Sequence, residues 1–333
     1  MSVAILGAGN WGTTLGLLLA EKGITVTLWE FFKEREEELK RDRENKRFLP
    51  GFPFPPNLGT TSSLAEAVSG KEMLVFVVPS HTLRSTAESL KDCVGGEPLI
   101  VSGMKGIEEG TLKRMSEVIE ENLPERFQGK VVALLGPSIA NEVVRKIPTA
   151  VVAANEDTRV CEKVQNIFST SYFRVYTNND IVGVELGGAV KNVVVIASGI
   201  CDGMGLGANT KAALLTRGLA ELKRFGLAMG AKEETFSGLS GIGDLITTAF
   251  SKHSRNRYVG EELGKGRNLD DILKGMVMVA EGVKTTHSVK QLSEKKNIDM
   301  PITSEVYNVL FKNKKPEQGV YDLMTRELRR ENW

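Results

Sequence analysis

Residues 2–12, Ser2-Val3-Ala4-Ile5-Leu6-Gly7-Ala8-Gly9-Asn10-Trp11-Gly12, run from a short apolar segment into a Gly-x-Gly-x-x-Gly turn, and a helix-like stretch follows over 13–22. In such a strand–turn–helix unit each glycine has its own duty. Gly7 permits the tight turn, Gly9 lets a pyrophosphate approach the backbone, and Gly12 allows close helix–strand packing. The free N–H groups and dipole at the helix start favour a phosphate's negative charge. Glycine-rich turns are common, so the motif takes its weight from its position at the first junction of an α/β pattern. Asn10 and Trp11, inside the turn, are placed for cofactor contact.

Outward from the turn, the next apolar run, residues 24–29, ends in Glu30. A carboxylate there accepts hydrogen bonds from the adenosine ribose hydroxyls and repels the extra phosphate of NADP. Phe31 and Phe32 follow, and either ring can lie against adenine; no basic side chain comes before Lys33. This segment predicts NAD(H) as the cofactor, with NADP(H) as the second possibility.

Further runs at 73–78, 98–102, 130–135 and 148–153 are rich in Val, Ile and Leu and bounded by Gly, Pro, Asn or Ser. They are continuously apolar, as strands buried on both faces should be. Amphipathic stretches such as 110–122 lie between them. The alternation predicts an α/β domain of Rossmann type, a doubly wound and mostly parallel sheet, over residues 1–179. Beyond Asn179 the helical stretches 181–200, 208–229, 256–264, 282–296 and 302–312 take over, which predicts an all-α second domain over 180–333. Two domains also suit the length of 333 residues, since single cores rarely grow past about 250–300. The charged run 33–47 reads as a solvated helix face, and the proline-rich stretch 48–56 as a structural loop.

Lys plus Arg number 43 against 42 Asp plus Glu, a net charge of +1. That balance argues against nucleic-acid binding, which needs an excess of cations. Cys93, Cys161 and Cys201 show neither disulfide nor metal-ligand spacing, so the expectation is a reducing cytoplasm and no metal. No signal peptide is apparent, and no run reaches the ~18–20 uninterrupted apolar residues of a membrane span, so a soluble protein without membrane insertion is expected. His81, His253 and His287 sit in no triad pattern and are assigned structural roles.

Ligands of an open α/β sheet sit beyond the carboxyl ends of its strands. Val101-Ser102-Gly103-Met104-Lys105-Gly106 puts Lys105 just past such an end, and Leu134-Leu135-Gly136-Pro137-Ser138-Ile139-Ala140-Asn141 leaves the next one in a small, backbone-exposing turn. In the helical half, Lys191 stands inside the apolar stretch 184–195 and must reach water, a carboxylate or a ligand. Ser240-Gly241-Ile242-Gly243-Asp244-Leu245 and Lys252-His253-Ser254-Arg255-Asn256-Arg257 follow. Ser254, Arg255 and Asn256 can converge on one phosphate, and Ser254 can cap the helix after it.

In this order and spacing, GAGNWGT, GMKGIEEG, GPSIANE, FRVYTNNDIVGVELGGAVKNV, GLGANTKAALLTRGLAE, TFSGLSGIGDLITT and HSRNR resemble the soluble NAD(P)-dependent glycerol-3-phosphate dehydrogenase family, to about residue 312. LWEFF and the LPGFPFPPN loop look more like its NAD-using members, although many bacterial relatives carry His or Arg where Phe31 and Phe32 stand. The resemblance implies a 6-phosphogluconate-dehydrogenase-like fold, a small phosphate-ester substrate, a cytoplasmic homodimer and a role in phospholipid supply. It implies Lys191 as the proton-transferring lysine, Lys105 as a second active-site lysine near substrate and nicotinamide, and Asp244, Ser254, Arg255 and Asn256 as substrate positions. Gly136 and Ser138 match substrate contacts; Ala140, Arg255, Val279 and Glu281 match cofactor contacts. Asn192 and Thr248 are further phosphate-shell candidates. The expected chemistry has Lys105 depressing the Lys191 pKa while Asp244 raises it and holds the side chain. A related two-domain reductase for hydroxy or sugar acids, or a non-catalytic NAD-sensing module, are the competing readings.

Overall fold

The structure is a computed structural model, and it describes residues 1–276 and 278–331; residue 277 and the last two of the segment 180–333 lie outside it. Eight strands form one sheet: β1 (Ser2–Leu6), β2 (Thr25–Trp29), β3 (Leu58–Thr61), β4 (Met73–Phe76), β5 (Leu99–Ser102), β6 (Val131–Leu135), β7 (Thr149–Ala154) and β8 (Phe173–Asn178). Their order is β3-β2-β1-β4-β5-β6-β7-β8. All neighbours run parallel except β6 and β7, which pair antiparallel with Leu134 opposite Ala153. Helices α1 (Asn10–Glu21), α2 (Lys33–Asp42), α3 (Leu64–Val68), α4 (Leu83–Leu90), α5 (Met115–Asn122), α6 (Ala140–Val143) and α7 (Thr158–Phe168) lie between the strands.

Side chains alternate across β1. Val3 and Ile5 join one core with α1 and α7, while Ala4 and Leu6 join a second with α3, α4 and α5. This double burial is why the central strands read as unbroken apolar runs. The edge strands β3 and β8 did not read that way. β8 buries Phe173 and Val175 and exposes Arg174 and Tyr176, an alternation suited to one covered face.

The rest of the chain is helical: α8 (Ile181–Gly203), α9 (Ala208–Ala228), α10 (Glu233–Phe236), α11 (Asp244–Phe250), α12 (Arg255–Gly264), α13 (Leu269–Lys274), α14 (Glu281–Lys295), α15 (Pro301–Phe311) and α16 (Pro316–Met324). By length and composition α8 is apolar enough to cross a membrane, but 89% of its apolar window is buried inside the protein, where it is the central core helix. Val184 packs it onto β6 and β7 through Ala133, Leu135 and Val152. Its buried Glu185 accepts hydrogen bonds from Arg114 Nη1 at 2.6 Å and from the Ser116 N–H and hydroxyl at 2.8 and 2.6 Å. That cluster ties the helical half to the loop that carries Lys105.

α8 and α12 cross with their backbones almost touching. A Cβ added at Gly199 would lie 2.1 Å from the Arg257 carbonyl oxygen, and one at Gly260 would lie 2.0 Å from that of Ile196. Both neighbours are helix backbone, which cannot step aside as a side chain can. Gly260→Val is therefore expected to cost about 3 kcal/mol or more of stability, the upper range for overpacking. Urea denaturation checks this, and an unchanged midpoint would show that the helices part freely.

Candidate active site

The strand order reverses between β1 and β4, and a cleft of about 1,010 Å³ opens there, between the sheet and the helical half. The glycine turn forms its floor. Gly7 has φ +120°, and a Cβ at Gly12 would sit 2.0 Å from the Gly7 carbonyl oxygen, so only glycine lets α1 close onto the turn. A Cβ at Gly9 would meet nothing within 4 Å, which leaves open space for a pyrophosphate against the first N–H groups of α1. The Asn10 amide oxygen is buried without a partner among the described residues. These features fit a dinucleotide.

Asn45 escaped the sequence reading because a mixed-charge run gave no signal for it. It is buried, and its amide donates to the Ala8 carbonyl and to Thr13 Oγ1, both at 2.8 Å. It also accepts from the Phe48 N–H at 3.3 Å, so it ties the turn to the following loop.

At the far end of the cleft, Glu30 is buried at the end of β2. It accepts from the Phe32 N–H at 3.2 Å and pairs with Arg35 at 3.3 Å. Burial pushes its carboxyl above the ordinary carboxylate range, while the Phe32 N–H, Arg35 and Arg47 pull against that shift. Phe31 and Phe32 stand exposed, edge to face with ring centroids 5.1 Å apart. Arg35 and Arg47 also line this end, although the stretch containing them read as a solvated helix face.

Lys105 and Lys191 meet at one carboxylate in the middle of the cleft. Asp244 receives Lys191 Nζ at 2.9 Å on one oxygen and Lys105 Nζ at 2.5 Å on the other. Lys191 also donates to the Thr248 hydroxyl, and Lys105 to the Gly136 carbonyl at 3.1 Å. Asp244 stands at the start of α11, after a π-helical turn over Leu239–Gly243. That turn needs glycine at position 241, since a Cβ there would lie 2.1 Å from the Phe236 carbonyl oxygen. Burial is the largest influence on Lys191 and lowers its pKa to about 8. Asp244 pulls the value upward, while Lys105 and Arg255 push it down. Burial disfavours the Asp244 carboxylate too, but the two ammonium groups outweigh it and hold the acid below its ordinary range.

The wall beside this trio belongs to α12 and α14. Ser254 caps α12 by accepting from the Arg257 N–H at 3.1 Å, while Asn256 accepts from the Gly282 N–H at 2.9 Å. Arg255 donates to the Val279 carbonyl at 2.8 Å and remains exposed at the cleft. Glu281 accepts from the Ser80 backbone N–H at 3.2 Å and from its hydroxyl, joining α14 to the strand-end segment opposite. Asn192, Ser138, Ala140 and Trp11 complete the lining. Of the sequence-derived residues, only Gly12 and Gly136 shape the cleft from behind without lining it. His81 and His253 face the cleft, and His287 packs beside Tyr307 and Phe311. Among the described residues no group of three His, Cys, Asp or Glu is arranged to hold a metal.

Comparison with known proteins agrees with this geometry at both ends of the chain. Residues 2–161 match the model for the N-terminus of NAD-dependent glycerol-3-phosphate dehydrogenase, and residues 180–321 match its C-terminus. The chain is 52% identical over 331 residues to a glycerol-3-phosphate dehydrogenase [NAD(P)+] of Chlorobium limicola, covering 99% of each. A protein of the same name from Geobacter sulfurreducens is 50% identical over 331 residues, again with 99% of each chain covered. The crystal structure of glycerol-3-phosphate dehydrogenase from Coxiella burnetii superposes with a TM-score of 0.93 at 38% identity, covering 98% of this chain and 99% of that one.

Proposed function

This chain belongs to the NAD-dependent glycerol-3-phosphate dehydrogenase family, and on that premise we propose that it interconverts dihydroxyacetone phosphate and sn-glycerol 3-phosphate, preferring NAD(H) and accepting NADP(H). One observation carries the reading: two lysines share the buried Asp244 in the same cleft that the glycine turn and the capped start of α12 line. A nicotinamide held in this cleft would supply the hydride chemistry at substrate C2. Proton transfer falls to the protein. In the reducing direction the Lys191 ammonium polarises the ketone and gives its proton to the C2 oxygen; in the oxidising direction the neutral amine takes that proton back. With a pKa of about 8, both forms are populated near neutral pH. Lys105 holds the second Asp244 oxygen and adds positive charge beside the developing alkoxide.

The substrate phosphate belongs at the start of α12. There Arg255, the Asn256 amide and the first-turn N–H groups supply charge and donors. Arg255→Ala is expected to raise KM for dihydroxyacetone phosphate about tenfold to a hundredfold, the range for a hydrogen bond to a charged group, with a smaller loss in kcat. Steady-state kinetics check it, and an unchanged KM would move the phosphate elsewhere.

The same proposal divides the chain into a dinucleotide-binding domain, 1–179, and a substrate-binding domain, 180–333. Family membership supports a cytoplasmic homodimer that feeds glycerophospholipid synthesis. NADH consumption with dihydroxyacetone phosphate is the deciding assay. Silence with that substrate alongside turnover of a 2-keto acid would overturn the assignment.

A further inference from the structure

The adenosine end of the cleft carries a guanidinium, that of Arg47, which no carboxylate pairs with among the described residues. Glu30 is already paired with Arg35 at 3.3 Å. The Arg35 guanidinium lies 4.4 Å from the centroid of the Phe48 ring, and that of Arg47 lies 5.5 Å from the same ring. Arg47 makes no hydrogen bond or ion pair among the described residues, yet its charge reaches Glu30. Glu34 is the other acid lining this end, and it is exposed. The loop bearing Arg47 and Phe48 is fixed from below by the buried Asn45. A guanidinium that stacks on a ring while its donors stay unused is preorganised for a phosphate.

We propose that Arg47, held on Phe48 next to the Glu30–Arg35 pair, is the seat of the adenosine 2′-phosphate, so that one cleft takes both cofactors. Glu30 accepts the ribose hydroxyls when the 2′ position is free, and Arg35 cancels the repulsion it would otherwise exert on a phosphate there. Arg47 is a specificity residue and stands apart from the proton chemistry.

This inference rests on the dinucleotide reading of the cleft, so the test separates the two. Binding of ADP and of 2′,5′-ADP to the full chain is measured by calorimetry at 0.15 M salt, where surface charges beyond about 8 Å are screened. Arg47→Ala should weaken 2′,5′-ADP roughly tenfold or more and change ADP less than about twofold, because only the former loses a charge-assisted contact. Glu30→Gln should weaken ADP, by replacing the charged ribose acceptor with a neutral amide, and strengthen 2′,5′-ADP relative to it. Lys46→Ala, which removes a neighbouring charge paired with Asp42 outside the cleft, should move neither. Equal losses for both nucleotides in Arg47→Ala, or a Lys46→Ala effect as large, would overturn the assignment. If ADP itself fails to bind the wild type, the dinucleotide reading falls and this inference with it.

Discussion

Replacing Lys191 with methionine should lower kcat by at least about a hundredfold in both directions while the protein stays folded. Loss of a general acid–base costs roughly 10²–10⁴ in rate. Methionine is close to lysine in length and suits the apolar surroundings of α8, where Val190, Val193 and Val194 are buried beside it. Asp244 retains Lys105 as a counter-charge. The pH profile gives a second readout. The reducing direction needs the ammonium, so its rate falls as pH rises through about 8; the oxidising direction needs the amine, so its rate rises through the same value. Both limbs should vanish in the variant. A kcat within a few-fold of wild type would remove Lys191 from the chemistry.

Asp244→Asn should damage rate and stability together. Breaking a buried ion pair from one side costs about 3–5 kcal/mol, because it strands the remaining charge. Here two ammonium groups lose their shared partner. Asp244 raises the Lys191 pKa, so its removal should carry that pKa below 8 and shift the reducing limb to lower pH. In the wild type the Asp244 carboxyl titrates below its unfolded value, so its stability contribution is present above the ordinary carboxylate range and is lost as pH falls through the folded pKa. Thermal melts from pH 7 downward should show that acid-side loss in the wild type and a weaker one in the variant. Unchanged melting at pH 7 together with an unmoved rate profile would show that the trio carries no energy.

Much of this was legible because it is local. The glycine turn announces itself within six residues, and strands covered on both faces must be continuously apolar. The edge strands hid for the opposite reason: Leu58-Gly59-Thr60-Thr61 is short and polar, and β8 alternates. Lys191 stood out as a cation that an apolar helix has to satisfy, and Asp244 proved to be its partner, 53 residues away in sequence. Nothing local announces Asn45, Arg35 or Arg47. Arg35 comes from the first turn of α2, while Asn45 and Arg47 come from a fold-back of the chain after α2, which turns part of a charged run inward to the cleft. The Ser80–Glu281 contact spans 201 residues and depends on how the two halves meet.

The glycine seam between α8 and α12 has a consequence for what the enzyme selects. Lys191 rides on one of those helices and Arg255 on the other, so under the proposed roles the spacing between acid–base group and phosphate anchor is set by main chain. On that proposal it is a fixed gauge: a phosphate ester with one more carbon between carbonyl and phosphate should not be accommodated by sliding the helices. Widening the gauge would require new side chains at its jaws.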